Sequence, residues 1–256
     1  MYPFSMDIDK SMVSYTEGII DYVPECQFEE VAKAIDCFHK YKTEFVWNIM
    51  SLFEGIPVTL PNTQQILDGF AVEGVKIYDL LRIKNYGNAL DSVCSWIRDN
   101  SFTADRYSLC EIHGICSLND LDIVDRAVFR RENVKFDNVE WKPPSFSDLN
   151  FHWKEIQYKI NDHECHPYER AFAIFAGLSR TQFFMDVNKR TAMLFANALL
   201  IEEGYPFFMI PSSMHNEFGK ELNYFYITGN ADNLFKFLAD NCIPEVIMEI
   251  CNEPRR

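Results

Sequence analysis

The chain has 256 residues, 48% of them hydrophobic and 15% aromatic, which is enough to bury a real core and excludes a disordered polypeptide. A formal net charge of −14 excludes a general nucleic-acid or membrane-surface binder, since those need a broad basic face; any nucleotide contact has to be local. Residues 1–9 lack a basic n-region and an apolar h-region, so no signal peptide is expected, and no run of 18 apolar residues predicts a membrane-spanning helix. The eight cysteines include no C-x-x-C pair, and several lie in apolar stretches, as Cys94 does. The expectation is buried free thiols in a cytoplasmic protein.

The periodicity is helical almost throughout. Val31, Ile35, Phe38, Phe45 and Ile49 form one apolar stripe over 28–53, ended by Glu54-Gly55 and Pro57. Thr63–Gly69 reads as a short helix with its own glycine stop, and 77–97 as a longer one with Leu80, Leu81, Ile83, Leu90, Val93 and Trp96 on its apolar face. Thr103 is the expected cap of the next helix, through Leu109, Ile112 and Ile115. Between Ala127 and Glu140 the β-formers Val128, Phe129, Val134, Phe136 and Val139 predict a short hairpin, closed by Pro143-Pro144. A helix at 147–161 follows, then one opened by His166-Pro167, a loop at 181–187, a helix from Asn188 to Glu203 before Gly204, and helices near 213–228 and 230–251.

The loop Gln182-Phe183-Phe184-Met185-Asp186-Val187-Asn188-Lys189-Arg190 enters a helix N-terminus, whose unpaired N–H groups and positive dipole end suit an anion. Lys189 and Arg190 add charged donors, and Asp186 is a candidate Mg²⁺ ligand between phosphates. Taken alone, the same residues also fit a solvated turn in which Asp186 or Asn188 merely caps the helix.

The surroundings favour the first reading, because the order of hairpin, Pro-Pro, helix, His-Pro helix, loop and helix resembles the Fic domain of the Fic/Doc (Fido-fold) family. The family loop is His-x-Phe-x-Asp/Glu-Gly-Asn-Gly/Lys-Arg. Phe184, Asp186, Asn188, Lys189 and Arg190 match it, Thr191-Ala192 continue it, and Asn197, Leu200 and Gly204-Tyr205-Pro206 resemble the family's ending. The resemblance spans most of residues 45–240. It implies an all-α fold with a short β-hairpin flap, and ATP or a related nucleotide held with Mg²⁺. Asp186 would hold the metal, and Val187, Asn188, Lys189 and Arg190 would hold phosphate. Val134, Lys135 and Phe136 would form a flap that aligns a protein target by strand pairing. The chain is divided accordingly into an N-terminal helical region (1–100), a Fic core (101–240) and a C-terminal helix and tail (241–256).

Several positions depart from the pattern. Gln182 stands where the family places its catalytic histidine, and a carboxamide has no titratable nitrogen with which to act as a base. Val187 replaces the usual glycine, Met193 replaces an arginine that contacts phosphate in many members, and Met50–Ile56 resembles the end of an inhibitory helix, keeping Glu54-Gly55. Without an arginine at 193, Glu54 is expected to lack its usual partner. The resemblance therefore implies weak or altered AMP transfer to protein hydroxyls. The alternatives are a nucleotide- or phosphate-binding module without turnover, and a Doc-like protein kinase.

Overall fold

The apolar stripes produce ten α-helices, seen in a computed structural model that describes residues 11–20, 23, 26–136 and 140–244. In chain order these are α1 (Val31–Lys40), α2 (Lys42–Glu54), α3 (Leu60–Leu67), α4 (Ile77–Arg98), α5 (Arg106–Cys116), α6 (Leu149–Ile160), α7 (Pro167–Thr181), α8 (Asn188–Glu202), α9 (His215–Thr228) and α10 (Asp232–Asn241). α7 and α8, joined by residues 182–187, are the centre. Every residue of α7 after Pro167 is buried, as is every residue of α8 except Lys189 and Glu202. A helix buried all round belongs in the middle of a bundle, and here α1, α4 and α5 close on α8 while α6 and α10 close on α7. One apolar cluster runs from Ile20 to Ile243, and no helix among the described residues is long and apolar enough to cross a membrane. The seven described cysteines form no disulfide with one another, and Cys26, Cys94, Cys116 and Cys242 are buried; Cys251 lies outside the described residues.

Three expectations need correction. The stripe over 28–53 is two helices, broken at Tyr41 (φ −92°, ψ 8°). The break turns Phe38 and Phe45 edge to face at 5.0 Å, and both reach Phe207, at 5.0 and 5.9 Å. At α5 the cap is Asp105, not Thr103. Asp105 Oδ1 accepts from the Ser108 N–H at 3.0 Å, and the Thr103 hydroxyl instead donates to Asp105 Oδ2 at 2.9 Å, so the stronger acceptor takes the helix amide. The hairpin is the third: residues 127–136 form no strand, while residues 137–139 lie outside the described residues. Backbone groups of this segment bond elsewhere: the Glu132 carbonyl accepts from the buried Arg130 guanidinium at 2.7 Å, and the Arg130 N–H donates to the Phe183 carbonyl at 2.8 Å. The C-terminal region of 241–256 and the helix expected to reach 251 are described only as far as 244, with α10 ending at Asn241.

Candidate anion site

α7 begins at His166, whose ring accepts from the Tyr168 N–H, and ends at Gln182, about 24 Å away at 1.5 Å rise per residue. His163 and His166 are thus at the far end of the helix from the loop. Gln182 terminates α7 in the left-handed region, at φ 54°. Both ends of its carboxamide make a hydrogen bond: Nε2 donates to the Ser179 carbonyl at 2.6 Å and Oε1 accepts from Asn188 Nδ2 at 3.0 Å. Its backbone carbonyl accepts from Arg130 Nε. Gln182 therefore acts as a structural fastener at the end of α7.

Asn188 closes the loop from the other side. Its Oδ1 accepts from the Phe184 N–H at 2.8 Å, and its Nδ2 donates to the Phe184 carbonyl at 2.9 Å as well as to Gln182. Beneath them His113, which sequence reading did not single out, holds three parts of the loop. Its ring stacks on Phe184 at 3.8 Å and Nδ1 accepts from the Ala127 N–H at 3.1 Å, which leaves Nε2–H to donate to the Asp186 carbonyl at 3.2 Å. Burial lowers the imidazole pKa to about 4, so it is neutral near pH 7.

Val187 adopts φ 64° while 3% exposed. A β-branched residue pays for this conformation with about 1–2 kcal/mol, offset here by its burial. This turn points the amides of Asn188, Lys189 and Arg190 out of the helix end, where they have no intrahelical acceptor. Asp186 is exposed beside them, with Oδ1 accepting from the Val187 N–H at 2.6 Å. Lys189 is partly buried over the Phe53 ring, and burial lowers its pKa although Glu54 and Asp186 pull the other way.

Arg190 does not face solvent. Its side chain is 1% exposed, with Nε 2.7 Å from Glu54 Oε1 and Nη2 2.8 Å from Asp120 Oδ2. Arg82, from α4, completes a ring: Nη1 lies 2.9 Å from Glu54 Oε2 and Nε 2.8 Å from Asp120 Oδ1. Glu54 has no arginine at 193, as expected, yet it does have arginine partners. Met193 is core, fully buried, but Arg190 and Arg82 converge on Glu54 instead. Gly55, at φ 61°, stops α2 where this carboxylate reaches the site. Burial raises the Glu54 pKa against the pull of Arg190 and Arg82. For Asp120 burial also opposes charge, but hydrogen bonds from Arg82 and Arg190 outweigh it and hold its pKa below the usual value. Sequence reading missed Arg82 and Asp120, and no spacing could have joined residues 38 and 70 positions from their partners.

The flap residues are tied to this site only at their root. The Arg130 N–H donates to the Phe183 carbonyl at 2.8 Å, Phe136 stacks on Tyr226 of α9 at 4.8 Å, and Lys135 is exposed.

Residues 103–200 match the model of the Fic/DOC family. Among solved structures the chain is similar to a fragment of Fic-1 from C. elegans, with TM-score 0.71 and 20% identity, covering 91% of this chain and 68% of that one. It is similar also to a Fic domain containing signaling protein from Bacteroides thetaiotaomicron, with TM-score 0.69 and 18% identity over 91% of this chain and 92% of that one. A Fic family protein from Desulfovibrio desulfuricans gives 0.66 and 12% over 96% and 78%. At such identities the likeness is one of fold, and no curated protein matches the chain. The chain thus shares the fold of Fic-domain structures, and residues 103–200, which include the helices that build the loop between α7 and α8, match the Fic/DOC family model.

Proposed function

We propose that the chain binds ATP or a related nucleotide at the N-terminus of α8, with Glu54 holding the site closed and Gln182 making AMP transfer slow or absent. The observation that carries this reading is the pairing of Arg190 with Glu54 directly beside three amides without intrahelical acceptors. A carboxylate at that position occupies ground that a phosphate oxygen would take. Asp186 suits a Mg²⁺ that arrives with the nucleotide. It offers one exposed carboxylate, and no group of three or more His, Cys, Asp or Glu among the described residues forms a preassembled cage. Magnesium ordinarily takes one or two carboxylates, the remainder being phosphates and water. When bound, the metal would neutralise phosphate charge.

The binding-module reading is favoured by a specific observation, the engagement of both ends of the Gln182 carboxamide within the protein. Such a group neither takes a proton nor hydrogen-bonds freely to a target hydroxyl. The test is incubation with labelled ATP and protein targets, comparing wild type, Gln182→His and the double variant with Glu54→Gly. Restoring a base should raise labelling by roughly 10²–10⁴ in the double variant. ATP binding without any labelling by the double variant would establish the module. Rapid labelling by wild type would contradict the assignment of Gln182.

A further inference from the structure

Arg82 stands on α4, far from the loop in sequence, yet its guanidinium meets the same carboxylates as Arg190. The two carboxylates are held in different ways. Asp120, with its side chain 1% exposed, accepts aligned hydrogen bonds from Arg82 Nε and Arg190 Nη2, both at 2.8 Å. Glu54 lies at ion-pair distance, but the Arg190 Nε–H is not directed along a hydrogen bond to it, and neither Nε nor Nη1 of this buried arginine has a hydrogen-bond partner among the described residues. Buried donors left in this state favour an acceptor with more oxygens, better placed. Arg82 is itself oriented from behind, through Nη2 donating to the Tyr78 hydroxyl at 2.6 Å and its face lying 4.1 Å over the Tyr78 ring. Both forks are therefore preset, and Asp120 balances only one of their two charges.

We propose that Arg82 and Arg190 together form a two-guanidinium phosphate subsite, in which Asp120 is the permanent counter-ion and Glu54 a displaceable occupant. This rests on the nucleotide reading above and deepens it by naming Arg82 as a specificity-determining residue outside the motif loop. When Glu54 swings away, the Arg190 donors and Arg82 Nη1 face a space of net charge +1. A phosphate carries enough oxygens to satisfy them together.

The experiment is calorimetry in the Glu54→Gly background, with ATP, inorganic pyrophosphate and adenosine as probes. Adding Arg82→Ala should weaken ATP and pyrophosphate roughly ten- to a hundredfold and leave adenosine unaffected. Arg82→Lys should recover part of the loss, because it restores charge but not the fork, and it serves as the reading if Arg82→Ala does not fold. A loss confined to ATP supports the subsite and assigns it to nucleotide-borne phosphate. Unchanged affinity for both anions in the Arg82 variants, with Arg190→Ala still weakening ATP, overturns the subsite and leaves the nucleotide reading standing. Failure of Glu54→Gly itself to bind either anion overturns both.

Discussion

His113 touches the motif loop by stacking on Phe184 and by hydrogen bonds to the Asp186 carbonyl and the Ala127 amide, and it does so only when neutral. Its pKa is lowered by burial from 6.5 to about 4. Between those values the unfolded chain takes up a proton that the folded one refuses. Stability is therefore fully present above pH 6.5 and declines as pH falls towards 4, by about 3 kcal/mol in all. His113→Phe keeps the stack but removes the titration. Denaturation midpoints measured from pH 7 to 4.5 should fall more steeply for wild type than for this variant; parallel curves would show that the imidazole is not held neutral. The residues of the loop were legible in the sequence because Phe184, Asp186, Asn188, Lys189 and Arg190 are contiguous. His113 was not, because a histidine on the apolar face of α5 gives no sign of which loop it will meet. Gln182 was singled out in the sequence by the resemblance, as the residue at the position of the family's histidine. Its second role, fastening Ser179 to Asn188, depends on the left-handed turn at φ 54° and emerged only from the backbone.

At the scale of elements, the end of α7 is fixed by Arg180, a buried guanidinium with carbonyl and ring partners. Nε donates to the Tyr226 carbonyl at 3.1 Å, Nη1 to Met12 at 2.8 Å, and its face lies 3.7 Å over Trp141. Burial lowers its pKa to about 10. Gly229, the left-handed C-cap of α9 at φ 77°, leaves the room this arrangement requires. A Cβ there would lie 2.8 Å from Arg180 Nη1. Gly229→Ala combines an unfavourable φ with displacement of the guanidinium, and a loss of about 2 kcal/mol is expected by chemical denaturation. A loss below about 0.5 kcal/mol would show that Arg180 moves freely. Helix periodicity located most of the ten helices, but it could not see the break at Tyr41, where the aromatic contacts of Phe38 and Phe45 with Phe207 override a continuous stripe. Likewise the β-formers of 127–136 are recruited individually, Phe129 under Arg106 and Phe136 onto Tyr226, and not as a ladder.

Across the whole molecule, the ring of Glu54, Arg82, Asp120 and Arg190 joins α2, α4, the turn after α5 and α8. In a chain of net charge −14 it concentrates two guanidiniums near the start of α8, where the proposed anion site would be local. The sequence showed both Arg190 and Glu54, but their pairing, and the part played by Arg82 and Asp120, comes from helix packing over long separations. On the proposed reading Glu54 competes with phosphate for Arg190, so the competent state would be a fraction of the population and apparent affinity reduced by that fraction. The most direct measurement is therefore calorimetric titration of ATP with Mg²⁺ into wild type, Glu54→Gly and Glu54→Gly with Arg190→Ala. Glu54→Gly should bind at least about tenfold more tightly than wild type, and Arg190→Ala should remove roughly ten- to a hundredfold of that affinity. Equal affinities for wild type and Glu54→Gly, or binding indifferent to Arg190, would contradict a phosphate site held closed by Glu54.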